Sequence, residues 1–172
     1  MTNNDAYPLE EIEGRRFLAR RVLTTLLMID RMNALLRNEL AAVAGYQKTL
    51  RTLKKKASAD GDHILGLAAD HQRTVTALHG YLQARGGTPA VEAQPWEGSR
   101  SAALMTDDAS VRLEDKQFVG ALLELERRVL ADYQTAVASL DEDARELVEL
   151  ELIPRQQKHV AVLSALLIQI AA

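Results

Sequence analysis

Apolar residues recur along this chain in steps that alternate between three and four, and they do so in four separate stretches. The first runs Leu18, Val22, Thr25, Ile29, Met32, Leu36, Glu39, Val43, Tyr46, Leu50, Leu53. The second runs Ile64, Ala68, His71, Val75, Leu78, Leu82, and the third Val119, Leu122, Glu126, Val129, Tyr133, Ala136, Leu140. The fourth runs Leu152, Gln156, His159, Leu163, Leu166, Ile170. This period belongs to helices that pack one stripe against other helices. Each stripe is broken by one metal-capable side chain, in the order Glu39, His71, Glu126, His159. A carboxylate or imidazole in an apolar stripe is costly unless it is paired, protonated or bound to a cation.

The breaks between stripes set the element order. Residues 1–8, ending in Pro8, are expected to be a disordered arm. A helical pattern then spans about Leu9 to Lys56, with Gly14 as a point where a short leading helix could separate. Lys54-Lys55-Lys56 closes it, where cations suit the negative end of the helix dipole. Residues 57–61 make a short connection, with Ser58 or Asp60 able to cap the second helix. That helix should stop at Gly86-Gly87, with Pro89 beyond. Residues 86–108 show no period, contain the sole tryptophan, Trp96, and are read as a crossover. Fully extended they reach roughly 75 Å, enough to run the whole length of a bundle. Trp96 would anchor that connection. A third helix is expected from near Ser110 to Leu140, and Asp141-Glu142-Asp143 starts a fourth. Pro154 lies inside the fourth and predicts a kink or break near residues 150–153.

The two halves of the chain match. Glu39 precedes Tyr46 by seven residues, and Glu126 precedes Tyr133 by seven. His71 follows Glu39 by 32 residues, and His159 follows Glu126 by 33. The segments NELAAVAGYQKTL and LERRVLADYQTAV align without gaps, as an internal duplication of a helical hairpin would. Two hairpins joined by one long crossover make a ferritin-like four-helix bundle. On LLRNELAAVAGY, the Gly86-Gly87-x-Pro89 stop, LELERRVLADY and a last helix carrying a histidine, residues 30–170 resemble the ferritin-like superfamily. Within it, they are similar to a bacterial ferritin-like domain family of unknown function. The resemblance implies an all-α single domain over 1–172, with Glu39 and Glu126 at the positions of the lone glutamates of a diiron centre. The Glu-x-x-His half of that pattern is missing. Three residues before His71 stands Ala68, and three before His159 stands Gln156. A one-turn slip would instead set Thr74 and Val162 at the histidine positions.

The composition narrows the chemistry. With no cysteine, thiolate catalysis and cysteine-held metal clusters are excluded. A net charge of −3 over 172 residues gives no basic footprint for nucleic acid. The chain has no signal-like leader and no run long enough to span a membrane, so a cytoplasmic protein is expected. Three readings of the four polar seam residues stand open. One iron, manganese or zinc ion is held by Glu39, His71, Glu126 and His159. Or a metal-free network pairs each glutamate with a histidine, joined by Tyr46, Tyr133 and Gln156. Or some of these side chains reach solvent. His63, His79 and Glu124 lie off the seams. Family resemblance favours a non-enzymatic, stress-linked bundle with a reduced or lost metal site; the alternative is a metal-dependent oxidase or iron-handling protein. The first stripe is longer than the second helix can cover, which predicts a homodimer or packing by the leading segment around Leu9 and Ile12.

Overall fold

The computed structural model describes residues 9–56, 61–93 and 115–171. It is an all-α helical bundle, with no strand among the described residues. Helix α1 spans Leu9–Lys56, α2 Gly61–Ala84 and α3 Asp115–Val137. The last rod is composite: α4 over Glu142–Glu146, a π-helical stretch over Leu147–Leu152, and α5 over Ile153–Ala171. The arm, Ser58 and Asp60, Trp96 and the start expected near Ser110 lie outside the described residues.

Cross-helix bonds fix the directions. The Asn33 amide donates to the Thr88 carbonyl at 3.0 Å, and Ala90 N–H donates back to Asn33 Oδ1 at 2.7 Å. The far end of α2 therefore lies beside the first half of α1, and the two are antiparallel. On α1 and α3, Tyr46 meets Glu126 while Glu39 meets Tyr133, so these are antiparallel as well. Arg85, just past α2, ion-pairs with Asp141 and Asp143, just past α3. Helices α2 and α3 thus run the same way. Among the described residues, no helix is long and apolar enough to cross a membrane.

The predicted punctuation has clear physical counterparts. Gly86 adopts φ 72°, the left-handed conformation that costs a side chain energy. Its N–H donates to the Gln83 carbonyl at 3.0 Å, and Gly87 N–H to the Leu82 carbonyl at 2.9 Å. This paired closure satisfies two carbonyls that a helix end leaves open. A Cβ on Gly87 would sit 3.0 Å from an Ile29 methyl, so this close approach of the chain to α1 needs glycine. Asp141 caps α4, accepting the Ala144 N–H at 2.9 Å. At Pro154 the break takes the form of a π-turn, in which Ile153 N–H donates five residues back to Val148. The wider turn accommodates a proline that can neither donate nor tolerate the carbonyl four residues behind it. Gly14 does not break α1. A glycine inside an exposed helix costs only about 1 kcal/mol, and cooperative propagation along a long helix outweighs it.

The core follows the stripes. Met32, Leu36, Ile64, Leu78, Leu82, Leu122, Leu152 and Leu163 are fully or almost fully buried. Each such side chain contributes on the order of 1.5–3 kcal/mol through burial. The first stripe departs from this at its beginning. Helix α1 has 48 residues against 24 in α2, and its described residues from 13 to 27 are all exposed. Phe17, Leu18, Val22, Leu23, Leu26 and Leu27 all stand more than half exposed on this projecting stem.

Candidate functional site

Glu39 of α1, His71 of α2, Glu126 of α3 and His159 of α5 meet at one level of the bundle. All four are buried, with relative exposures of 0–1%. Each sits where its stripe turns inward, so the apolar neighbours that bury the helix face bury the polar side chain with it. His71 lies at the centre. Its Nδ1 is 2.7 Å from Glu39 Oε2 and its Nε2 is 2.9 Å from Glu126 Oε1. Ionised carboxylates only accept, so both ring nitrogens must donate, which makes His71 an imidazolium between two anions. Burial alone would pull its pKa down. The charges of Glu126 and Glu39, with the hydrogen bonds to both, outweigh burial and raise it to about 10. Glu126 is held well below the ordinary carboxylate range. Burial opposes this, but the charge of His71 and the hydrogen bonds from His159 and His71 prevail.

Other donors complete the cluster. The Tyr133 hydroxyl donates to Glu39 Oε1, and the Tyr46 hydroxyl to Glu126 Oε1. Burial, then the adjacent glutamate, pushes both phenols far above their usual pKa, so they remain donors. The Gln156 amide donates to Glu126 Oε2 and to the Glu126 backbone carbonyl, the latter at 3.0 Å. His159 Nδ1 lies 3.3 Å from Glu126 Oε2, and its Nε2 lies 3.4 Å from Asp70 Oδ2. Asp70 also pairs with Arg73. That contact, followed by the one to His159, lowers its pKa against the effect of burial. The His71 and His159 rings meet edge-on with centroids 4.8 Å apart. Among the described residues, no buried side-chain nitrogen or oxygen lacks a partner.

The structure therefore brings all four expected residues together, and Tyr46, Tyr133 and Gln156 with them. Gln156 and His159 both face Glu126. His63 and Glu124 are exposed and His79 is half-buried, all apart from the cluster. Asp70 was not evident in the sequence. It lies next to His71 but off the stripe, and only the approach of α5 makes it a partner of His159. Thr74 is likewise drawn in from α5, where Arg155 Nη1 donates to its hydroxyl at 2.9 Å.

The donor set can be tested against a metal ion. His71, Glu126 and His159 each present a ligand atom, and these atoms lie within 4.8 Å of one another. Glu39 stands on the other ring nitrogen of His71, away from that group. Two imidazoles and a carboxylate suit one zinc, manganese or iron ion.

Comparison with known proteins finds no protein-family model that matches the chain and no curated protein that is similar to it.

Proposed function

We propose that this chain is a ferritin-like bundle protein without catalytic chemistry. The positions that hold metal in that superfamily here carry a self-sufficient charged hydrogen-bond network. The matching sequence halves and the parallel α2 and α3 support the ferritin-like assignment. The observation that carries the functional reading is the pair of contacts at His71, 2.7 and 2.9 Å to two separate carboxylates. An imidazolium in that position supplies the positive charge that two buried glutamates require. The hydroxyls of Tyr46 and Tyr133 and the Gln156 amide take up the remaining acceptor sites. Buried networks of this kind give little net stability but penalise every other pairing of the same helices. The role proposed is to set the register in which the two hairpins join.

One observation favours a second reading. Each imidazole has one nitrogen toward Glu126 and the other toward an outer carboxylate, Glu39 for His71 and Asp70 for His159. That arrangement orients metal-ligating histidines and fixes their tautomers. In this reading His71, Glu126 and His159 hold one divalent ion, Glu39 and Asp70 orient the rings, and the ion would supply Lewis acidity.

Elemental analysis and thermal melting of untagged protein, with and without a chelator, distinguish the two. The network reading expects no stoichiometric transition metal and an unchanged Tm. One equivalent of metal, with a Tm that falls on chelation, would overturn it in favour of the second, because an ion that binds only the folded state stabilises that state.

A further inference from the structure

We propose that the bundle opens along the edge where α2 meets α5, and that this edge is the route by which water and small solutes reach the buried centre. Helix α2 packs closely along α1, α5 packs closely along α3, and α1 joins α3, whereas α2 and α5 meet at only a few places. The ties across this fourth edge are polar side chains. Asp70 Oδ2 lies 3.4 Å from His159 Nε2. One turn along α2, the Thr74 hydroxyl accepts from Arg155 Nη1 at 2.9 Å. Toward the end of α2, the Tyr81 hydroxyl and Arg85 Nη1 each donate to Asp141 at 3.1 Å. Partners advance along α2 as they recede along the last rod, so the ties form one antiparallel ladder.

Edges of different chemistry differ in what it takes to part them. Separating apolar faces exposes them to water at full cost. Separating half-buried polar side chains exchanges one hydrogen-bond partner for water, at little net cost. Asp70, Tyr81, Arg85 and Arg155 are all half-buried, so water is already beside them. Local opening follows the places with the fewest buried contacts. The α1–α3 edge is held through the centre itself, by the buried pairs Tyr46 with Glu126 and Tyr133 with Glu39, and acts as the hinge. What lies behind the parting edge gives the opening its consequence. The His71 and His159 rings, one from each parting helix, meet edge-on with centroids 4.8 Å apart. Asp70 is where the buried hydrogen-bond chain comes to the surface, its side chain 15% exposed against 1% for His159. Arg155 on Thr74 is therefore a clasp beside the two imidazoles. The route is the same for either reading of the centre, whether water reaches a metal-free network or a hydrated ion reaches His71, Glu126 and His159.

The chain has no cysteine, so a single engineered thiol reports on one chosen place. Leu67→Cys lies on the α2 side of the edge, one turn before Asp70. Leu36→Cys is the matched change on α1, which takes no part in that edge; the native leucines are 4% and 0% exposed. Labelling of the folded proteins with dithionitrobenzoate, over a range of low urea concentrations, reads the opening that each thiol requires. Leu67→Cys should react about a hundredfold faster than Leu36→Cys, at a rate that urea hardly changes, as a local opening does. Arg155→Ala undoes the clasp and should speed the labelling of Leu67→Cys about fivefold. Asn38→Ala, which loses a 2.9 Å bond to Asp132 across the α1–α3 edge, should leave that rate unchanged. Thr74→Cys is a second thiol on the opening edge and should label like Leu67→Cys, which keeps the test decisive if one variant fails to fold. Labelling of all the thiols at a common rate that rises steeply with urea would overturn the proposal, because the bundle would then open only by unfolding. A Leu67→Cys rate that Arg155→Ala raises no more than Asn38→Ala does would overturn the choice of edge.

Discussion

Metal-free protein should lose stability as the pH rises from neutral into the alkaline range. The cause is the proton on His71. In the folded chain it is held until about pH 10, whereas an ordinary histidine releases it near 6.5. Between those values the folded state binds one proton more than the unfolded state, so stability falls as pH rises. The contribution is complete below 6.5 and gone above 10. Its full size is on the order of a few kcal/mol at roughly 1.36 kcal/mol per pH unit, and much of it is lost between pH 7 and pH 9. The depressed pKa of Glu126 expresses the same attraction from the other partner and adds nothing to this figure. Urea unfolding followed by circular dichroism, in chelator across this range, measures the slope directly. The double variant Glu39→Gln, Glu126→Gln removes both anions and should flatten it. Nitrogen chemical shifts of the His71 ring should show both nitrogens protonated at pH 8. A wild-type unfolding free energy that stays constant from pH 7 to 9, or a ring that titrates near 6.5, would refute the imidazolium and the network built on it.

Three further substitutions probe separate parts of the fold. Tyr133→Phe takes a donor from the buried Glu39 carboxylate and should cost roughly 1.5–3 kcal/mol in denaturant unfolding, as losses of hydrogen bonds to charged groups do; Tyr46→Phe should cost a similar amount through Glu126. Asp141→Ala removes the cap on Ala144 N–H and the acceptors of Tyr81 and Arg85, both at 3.1 Å. A loss of about 1–2 kcal/mol is expected, the upper end of the usual range for a cap, and a thermal melt will measure it. Gly86→Ala forces a side chain into φ 72° and should lower stability by about 1 kcal/mol, with no change in helix content by circular dichroism.

How much of this was legible in the sequence depends on which forces set each feature. Helix positions, the Gly86-Gly87 stop and the break before Pro154 are local, governed by period and backbone chemistry, and all are readable residue by residue. Glu39, His71, Glu126 and His159 were legible because a polar residue in an apolar stripe has nowhere to go but inward. The pairing among them was not, since periodicity fixes the face of a residue and not its height against another helix. Asn33 shows the same limit. It is buried to bind both Thr88 and Ala90, pinning the residues just past α2, yet in the sequence it is one more polar residue on a long helix. Asp70 and Thr74 acquire their roles only from the side chains that α5 brings to them. The unbroken passage of α1 through Gly14 was hidden for another reason. A single glycine is a weak breaker, and the cooperativity of a helix of 48 residues decides the outcome.

The duplication explains why the centre is lopsided. The tyrosines respect a two-fold relation, since each hydroxyl crosses to the glutamate of the other half. The histidines do not. Only one imidazole fits between Glu39 and Glu126, and His71 occupies that place with a carboxylate on each nitrogen. His159, its counterpart, reaches Glu126 alone and turns its other nitrogen outward to Asp70. The second half is one residue longer between its glutamate and its histidine, and a π-turn is the element that accepts one extra residue within a helix. That turn spans Leu147–Leu152, four residues before Gln156. The helix that follows it presents both the Gln156 amide and His159 Nδ1 to Oε2 of Glu126.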